Sequence, residues 1–419
     1  MPTPVAAAAP AKDPLPTAVI CLGIGQITSW GTGYYFLGVL ANAIQHDTGW
    51  SKGFVYFGFT VALLAMGLVS TATGRAIDRF GARRVMAAGT LIASLAMTLL
   101  ALAHGKAAYL AIWALLGVGL RLTLYDAAFA GLVQVVPSRG RQAISYLTLF
   151  GAFASTVFWV IGHYLDELAG WRGTLQWFAA INLLVCLPLN WIGLARVEDR
   201  DRSREVARRH PDADTEPLEG EQRRVAMGLY AVVMSLNAFV FGVVSVQLVP
   251  LLEGAGVAAA TAVWIASMKG FAQFGGRLVE ITFGRNLHAI SVARIAIGIL
   301  PFSFALLLAS GGNLVALMIF TLLGGASQGV VTIVRGALPL ALFGPNGYGA
   351  VLGVLATPIL IVNAASPTAF ALIVDQWGWT VAQIVLTATA AASWLAMEFM
   401  SHWFQRRRTG LAEPRPHQP

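Results

Sequence analysis

The sequence predicts an all-α membrane protein in which twelve transmembrane helices form two pseudo-symmetric halves of six helices each. Its composition, its apolar runs and an internal repeat lead to this prediction. Of its 419 residues, 57% are hydrophobic and only 11% are charged, whereas soluble domains carry about 25% charged residues. So few charges could not cover the surface of a soluble fold of this size, and the chain is therefore expected in a lipid bilayer.

An apolar run of about 20 residues is long enough to cross the hydrocarbon core of a bilayer. The sequence contains twelve such runs, at residues 17–43, 53–73, 84–103, 107–135, 142–165, 173–195, 225–252, 259–281, 289–310, 313–342, 348–374 and 380–404. They fall into two groups, which predict an N-terminal bundle over residues 17–195 and a C-terminal bundle over residues 225–405.

Three polar segments lie outside these bundles. Residues 1–16 lack a basic region followed by a short apolar run, so they are expected to be a disordered cytoplasmic tail and not a signal peptide. Residues 196–224 are dense in charge and almost free of large apolar side chains, which predicts a solvated cytoplasmic linker. Residues 406–419 are expected to form a second cytoplasmic tail.

The distribution of lysine and arginine predicts the orientation, because short cytoplasmic loops are enriched in these residues. With a cytoplasmic N-terminus, the inner segments carry Arg79, Arg83, Arg84, Arg139, Arg141, Arg285 and Arg406–Arg408. The outer loops hold little beyond Lys52, Lys106 and Arg172. Both termini are thus expected in the cytoplasm of a multi-pass protein of the plasma (inner) membrane, and the net charge of +8 indicates topology and not nucleic-acid binding.

The two halves also resemble each other in sequence. GRAID (Gly74–Asp78) follows the second run as GRLVE (Gly276–Glu280) follows the eighth. LDELAGW (Leu165–Trp171) precedes the sixth run as IVDQWGW (Ile373–Trp379) precedes the twelfth. A duplicated six-helix unit is typical of transporters whose substrate site lies near the bilayer midplane, between the halves.

The run GRAIDRFGARR (Gly74–Arg84) resembles the signature G-x-x-x-D-R-x-G-R-R of the major facilitator superfamily, with Ala82 where that family often has arginine. The resemblance implies the major facilitator fold. It also implies that the loop is a conformational latch of the outward-open state, formed by Gly74, Asp78, Arg79, Gly81, Arg83 and Arg84. The alternative is that these arginines only anchor the loop at an anionic inner leaflet.

A weaker resemblance links SMKGFAQFGGRLVE (Ser267–Glu280) to the monocarboxylate-transporter branch and its bacterial relatives. It implies that Arg277 is the substrate-binding arginine of the eighth helix. Those transporters carry an aspartate one turn earlier, where this sequence has Gln273. The internal repeat allows a second interpretation, in which Arg277 corresponds to Arg75 and anchors a loop at the cytoplasmic edge.

The fourth run contains charged residues in GLRLTLYDAAFAG (Gly119–Gly131). Arg121 and Asp126 are five residues apart, which separates them by about 140° around a continuous helix, so they are not expected to pair. Tyr125 shares the face of Arg121. By resemblance to the superfamily, Arg121 is predicted to face the substrate cavity and Asp126 to face another helix or the cytoplasmic gate. Bonding of Arg121 to backbone carbonyls is the alternative.

Two further cations lie deep in the C-terminal bundle. Lys269 is predicted to face the cavity or to pair with Asp126. Arg335 lies within about a residue of the repeat equivalent of Asp126, so these two could pair across the pseudo-two-fold axis. Deep positive charge that exceeds negative charge is costly in a bilayer unless an anion enters. The remaining apolar surroundings, which include Tyr34, suit a short organic acid better than a sugar.

These features predict a secondary transporter of a small, monocarboxylate-like organic anion, coupled to protons through Asp126 or His163. His163 lies near the outer end of its run, where a solvated histidine is the alternative role. The second functional hypothesis is an efflux carrier for drugs, toxic metalloid species or metabolites, and the third is a receptor that does not transport. The sequence predicts a monomer in the bilayer, neither an enzyme nor a nucleic-acid binder, with no cofactor or metal site.

Overall fold

The computed structural model describes residues 13–195 and 217–412, with side chains as far as residue 406, and these residues are helical throughout apart from short connections. Most of the predicted N-terminal tail, residues 196–216 of the predicted linker and residues 413–419 of the C-terminal tail lie outside the described residues. The first helix begins at Pro14 and the seventh span at Gly220, so both start inside the limits predicted for the tail and the linker.

Six spans form the N-terminal half. The first comprises Pro14–Ser29, the π-helical turn Trp30–Tyr34 and Leu37–Thr48. The second is Lys52–Phe80, the third is Ala82–Ala101, and the fourth is divided into Lys106–Thr123 and Tyr125–Val135. After a 3-10 turn, Pro137–Arg139, the fifth and sixth spans comprise Gly140–Gly151, Ala154–Ile181, the π-helical turn Asn182–Cys186 and Leu187–Gly193.

Six spans also form the C-terminal half. The seventh is Gly220–Glu253 and the eighth is Ala259–Phe283, which is followed by the 3-10 turn Gly284–Asn286. The ninth is Ala289–Ala309 and the tenth is Leu314–Phe343. The eleventh and twelfth spans form one helical element, Tyr348–Ala412. The described residues thus confirm the predicted all-α fold of two six-helix halves.

Within the described residues, eight helical segments are long and apolar enough to cross a membrane, and two of these, Pro137–Gly193 and Tyr348–Arg406, contain two spans each. The first and eighth spans are the two that do not meet this criterion. The first is broken into three short segments by its π-helical turn. The eighth carries Lys269 and Arg277, which make it less apolar.

The repeat seen in the sequence has a structural counterpart at two glycines. Gly170 lies between the fifth and sixth spans with φ 68° and ψ 171°, and Gly378 lies between the eleventh and twelfth with φ 79° and ψ 174°. A residue with a Cβ is strained at such positive φ values, so glycine is required where each pair of spans separates. The similar sequences LDELAGW and IVDQWGW therefore form the same turn in both halves.

Polar side chains cap the N-termini of the first and second spans. Asp13 Oδ1 accepts a hydrogen bond from the Leu15 amide at 3.0 Å, and Ser51 Oγ accepts one from Phe54 at 3.3 Å. Such side chains satisfy amide groups that the first helical turn leaves unpaired. At the opposite end of the bundle from Asp78, the Asp47 carboxylate accepts hydrogen bonds from Arg172 and from Trp171 Nε1.

The halves pack against each other mainly through four pairs of spans: the second with the eleventh, the fifth with the eighth and the tenth, and the fourth with the eleventh. We call the end of the bundle that carries the loop Gly74–Arg84 the signature end. Small residues allow the closest approach there, because a Cβ added at Gly74 would overlap the backbone of Gly349. A cavity lies deeper in the bundle, between the same two halves.

Candidate functional site

The central cavity lies between the two halves and has a volume of about 490 Å³, within the range of about 300–1,000 Å³ that is usual for small-molecule sites. Both halves contribute to its lining. The residues predicted from sequence that line it are Tyr34, Arg121, Tyr125, Asp126, Gln273, Arg277 and Arg335. The fold therefore brings three arginines and one aspartate to a single cavity.

The prediction that Arg121 and Asp126 do not pair was wrong. Arg121 Nη1 lies 3.4 Å from Asp126 Oδ2, and both side chains are buried. The helix ends at Thr123, and Leu124 adopts an extended conformation (φ −76°, ψ −171°) before a new helix begins at Tyr125. The angle of 100° per residue holds only for a continuous helix, so this break turns Asp126 toward Arg121.

Asp126 is shared between two arginines from different halves. Its Oδ2 atom accepts a hydrogen bond from Arg335 Nη2 at 2.7 Å, as the repeat-based hypothesis placed it. Arg121 is further held by Ser70 Oγ, which accepts a hydrogen bond from Arg121 Nε at 2.8 Å. Asp126 Oδ1 is buried and has no hydrogen-bond partner among the described residues. The carboxylate thus joins the N-terminal half to the C-terminal half and retains acceptor capacity.

Arg277 lines the central cavity and does not lie in a loop at the edge of the bundle, where the repeat-based interpretation placed it. The side chain is 5% exposed. Its Nη1 donates to the Thr148 carbonyl at 2.6 Å and its Nε donates to the Gly329 carbonyl at 3.4 Å. Within the described part of the chain, no carboxylate forms an ion pair with Arg277. Gln273, one turn earlier, lines the same cavity.

Two of the predicted residues lie elsewhere. Lys269 does not line the central cavity: its Nζ lies 3.4 Å from the Val244 carbonyl and 5.8 Å from the centroid of the Phe241 ring, beside a separate cavity of about 20 Å³ within the C-terminal half. His163 is exposed and lies 3.4 Å from Glu167, as the alternative of a solvated histidine predicts.

The first span presents aromatic rings to the cavity, of which only Tyr34 was a predicted site residue. In the π-helical turn the Tyr35 amide donates to the Trp30 carbonyl at 2.9 Å, five residues back. Trp30, Tyr34 and Tyr35 all line the cavity. Turns of this kind are rare and occur often at functional sites. The run WGTGYY contains the rings, but its helical register could not be read from sequence.

Two amide side chains of the polar lining have nitrogen atoms that are unpaired within the described part of the chain. Asn237 and Gln328 both line the cavity, and their amide nitrogens are buried without a hydrogen-bond partner among the described residues. Buried polar groups are normally paired, so such atoms are candidates for contact with a ligand or water. Neither Asn237 nor Gln328 was predicted as a site residue, since neither has a recognisable pattern around it in the sequence.

At the signature end, Asp78 contacts the N-terminus of the eleventh span. Its Oδ1 accepts a hydrogen bond from the Gly349 amide at 3.0 Å and its Oδ2 accepts one from Ala350 at 2.7 Å. A carboxylate is favourable at this position because the first amides of a helix are unpaired and the helix dipole is positive there. We call Asp78 with Gly74 and Gly349 the first latch.

The remaining signature residues shape the loop. Gly81 has φ 83° and ends the second span, with its amide bonded to the Ile77 carbonyl at 2.9 Å. Gln134 of the fourth span accepts a hydrogen bond from the Ala82 amide at 2.9 Å. The guanidinium of Arg83 stacks 3.9 Å from the Trp191 ring, while Arg79 and Arg84 are exposed.

A second latch joins the fifth and eighth spans. Glu280 accepts hydrogen bonds from Ser145 Oγ at 2.9 Å and from Arg141 Nη2 at 3.3 Å. Arg141 also donates to the carbonyls of Leu287 and Gly284, at 2.6 and 2.9 Å. Glu280 was not predicted as a site residue, although the match of GRLVE to GRAID placed it at the position of Asp78. Arg141 was interpreted only as a loop charge.

A bundle of twelve spans with a charged cavity between two repeated halves defines a membrane transporter, and not an enzyme. The sequence profile of the Major Facilitator Superfamily matches residues 22–298, and the chain belongs to that superfamily. Comparison with curated proteins finds no match.

Several solved transporters are similar in shape. The human organic anion transporter MFSD10 (TETRAN) has 16% identity and a TM-score of 0.72, over 92% of this chain and 100% of that one. The proton:xylose symporter XylE has 12% identity and a TM-score of 0.71, over 91% and 95%. FucP in its outward conformation has 14% identity and a TM-score of 0.67, over 93% and 99%. Identities this low show a common fold alone.

Proposed function

We propose that the protein transports small organic anions, in particular monocarboxylate-like acids, by alternating access. The observation that carries this proposal is the charge of the central cavity, where three arginines and one aspartate leave a net of two positive charges. Excess positive charge at this depth is costly unless an anion enters. Arg277 donates to the backbone carbonyls of Thr148 and Gly329 and forms no ion pair among the described residues, and a guanidinium can bind a carboxylate through two parallel hydrogen bonds.

The test is binding and uptake by purified protein, free in detergent and reconstituted in liposomes. Acetate, lactate and pyruvate should stabilise the protein against heat, and xylose and tetraphenylphosphonium should not. Arg277→Ala should remove this stabilisation and the uptake of labelled acid. Lys269→Met is the matched control, since Lys269 is a deep cation outside the cavity and its loss should leave acid binding intact. Equal loss in both variants would contradict an anion site at Arg277.

We further propose that Asp126 couples transport to protons. A carboxylate bound at Arg277 brings a second negative charge into the cavity, where it competes with Asp126 for the attraction of Arg335, whose side chain is 27% exposed. Once Arg335 turns toward the substrate, Asp126 keeps only the longer contact to Arg121, and in this proposal its carboxylate is the group that takes up the proton. Substrate and proton would then be carried together. Asp126→Asn should abolish uptake driven by a pH gradient and retain exchange of internal for external acid.

A specific observation also supports the efflux alternative. The cavity is large and its lining includes Trp30, Tyr34, Phe153, Phe271 and Phe274, which suits bulky lipophilic compounds. The human organic anion transporter similar in shape is named for anions, yet sugar carriers share the fold, so shape does not discriminate between these functions. Strong thermal stabilisation by lipophilic cations that persists in Arg277→Ala would favour efflux.

We propose that the signature end faces the cytoplasm of the plasma (inner) membrane, with both termini on that side. The positive charge of this end supports the orientation, because the second, fourth and eighth spans end there with Arg79, Arg139 and Arg285. A monomer suffices, since one chain encloses the cavity. A reporter active only in the cytoplasm should be active when fused after residue 419 and inactive when inserted after Gly105.

The latches support an outward-facing assignment for this conformation. Asp78 and Glu280 join the halves at the signature end, so alternating access requires both contacts to break before substrate can leave on that side. The proposal makes the latches conformational elements and not simple membrane anchors.

A further inference from the structure

The proposed anion site lies directly against aromatic rings. Arg277 Nη1 and the Tyr125 hydroxyl donate to the same acceptor, the Thr148 carbonyl, at 2.6 and 3.4 Å. The guanidinium and the phenol are therefore neighbours. The Trp30 ring lies 5.0 Å from the Tyr125 ring, centroid to centroid. The charge of Arg277 and these two rings thus belong to one continuous wall of the cavity.

The wall extends along the first span. Trp30 lies 4.7 Å from Tyr34, and Tyr34 lies 5.2 Å from Tyr35. We call Trp30, Tyr34, Tyr35 and Tyr125 the aromatic cluster. Each of its members lines the cavity and is only partly buried, so ring surface remains free for a ligand. The π-helical turn brings three of the four rings to the cavity, and such turns are rare in helices and frequent at functional sites.

The size of the cavity matches a larger anion than a two- or three-carbon acid. Ligand sites usually bury 70–90% of the surface of a ligand of drug size. In a cavity of about 490 Å³, a short acid on Arg277 would leave the aromatic cluster facing water. A planar ring attached to the carboxylate would cover that apolar surface, and aromatic pairs gain further attraction from offset or edge-to-face geometry.

We propose that the preferred substrate is an aromatic carboxylate, with its acid group on Arg277 and its ring against the aromatic cluster. This inference rests on the proposed function, to which it adds the substrate class. The aromatic ring is required to be bonded to the carboxylate carbon directly or through a single carbon atom, because Tyr125 and Arg277 are adjacent. Benzoate, phenylacetate and indole-3-acetate have this arrangement.

The decisive experiment compares two ligands of equal charge and nearly equal size, phenylacetate and cyclohexylacetate, with acetate as the short reference. Affinities for the purified full-length protein are measured by calorimetry. Phenylacetate should bind about three- to tenfold more tightly than cyclohexylacetate, the range expected for a specific aromatic contact. Acetate should bind most weakly. Because this comparison uses the unaltered protein, it does not depend on the folding of a variant.

A set of variants assigns the preference to the cluster. Trp30→Leu should remove the difference between the two ring acids, while Trp30→Phe should keep most of it. Trp177→Leu is the matched control, because this tryptophan of the sixth span is 56% exposed and does not line the cavity. Arg277→Ala should remove the binding of both ring acids.

The outcomes separate the inference from the proposed function. Equal affinities for phenylacetate and cyclohexylacetate, or a loss in Trp30→Leu that is the same for all three acids, would overturn the aromatic preference and leave an anion transporter. The absence of binding by any carboxylate would overturn both. A phenylacetate preference that requires both Trp30 and Arg277 would support the inference.

Discussion

The two halves of the protein place a carboxylate at equivalent points of the repeat, but they use it differently. Asp78 at the end of the second span is exposed and bonds to backbone amides of the eleventh span. Glu280 near the end of the eighth span is 4% exposed and bonds to the side chains of Ser145 and Arg141 in the fifth span. The topology is the same, whereas the partners and the solvation differ.

The glycines beside these carboxylates differ in the same way. A Cβ at Gly74 would overlap the backbone of Gly349 in the other half, whereas a Cβ at Gly276 would overlap Ala326 in its own half. The first latch therefore depends on close backbone approach between the halves, and the second depends on the reach of Arg141. A repeat can thus conserve the position of a latch while different interactions provide its strength.

The distance between two spin labels at the signature end, one in each half, reports on both latches. Spin labels attached at Arg84→Cys and Asn346→Cys would lie on exposed positions at the signature end, one in each half. Cys21 and Cys186, the only cysteines of the chain, are replaced by serine in this background. Double electron–electron resonance then gives the distribution between closed and open states of that end. The predictions below use this measurement, from the largest expected effect to the smallest.

Glu280→Ala should have the largest effect. It removes the carboxylate that lies 3.3 Å from Arg141, which is 6% exposed, and breaking a buried ion pair costs about 3–5 kcal/mol. That energy is a population change of more than about 100-fold, so the label distances should move largely to the open state. The double variant Glu280→Ala with Arg141→Ala should recover part of the closed population. A double variant as open as the single one would show that charge burial is not the cause.

Gly74→Ala should have an intermediate effect. The new methyl group would meet the backbone of Gly349 and lie 3.0 Å from the Cα of Gly353, and overpacking of this kind costs about 1–3 kcal/mol. The second and eleventh spans should separate and the open population should rise. Gly275→Ala is the control, since open space surrounds that position. An unchanged distribution of label distances in Gly74→Ala would show that close backbone approach does not stabilise the first latch.

Much of the fold could be predicted from the sequence because the bilayer constrains it strongly. Long apolar runs identified the spans, and the two similar motifs near Gly170 and Gly378 identified equivalent turns. The repeat also placed Arg335 against Asp126, where the ion pair is 2.7 Å. These predictions depend on composition and on spacing along the chain. Lipid offers the backbone no hydrogen bonds, so a long apolar segment must form a helix, and its position in the sequence directly predicts a span.

The cavity was predicted less completely because it depends on local breaks and on helix rotation. Neither proline nor glycine occupies position 124, so nothing in the sequence marked the break that pairs Arg121 with Asp126. Lys269 was expected at the correct depth, but depth does not give the direction in which a side chain points. The π-helical turn that presents Trp30 likewise has no sequence signal.

Asp78→Asn should have a smaller effect than either variant above. Asparagine keeps an oxygen that can accept from Gly349 or Ala350 but loses the negative charge at the helix N-terminus. Such a charge contributes about 0.3–1 kcal/mol at an exposed position, so the open population should rise only a few-fold. Asp78→Ala should raise the open population more than Asp78→Asn does, because both hydrogen bonds to the eleventh span are lost. If Asp78→Asn opened the end more than Glu280→Ala, the first latch would be the stronger one.

Salt should produce the smallest change and should act on one latch only. Raising the ionic strength from about 0.1 to 1 M shortens the Debye length from about 10 to 3 Å, which screens exposed charges far more than buried ones. Asp78 is exposed and Glu280 is buried. In the protein with both latches intact, high salt should therefore shift the label distances slightly toward the open state. The same salt increase should have no further effect in Asp78→Asn, where the exposed charge is already absent. A salt response that persisted in Asp78→Asn and vanished in Glu280→Ala would reverse the assignment of solvent-exposed and buried latches.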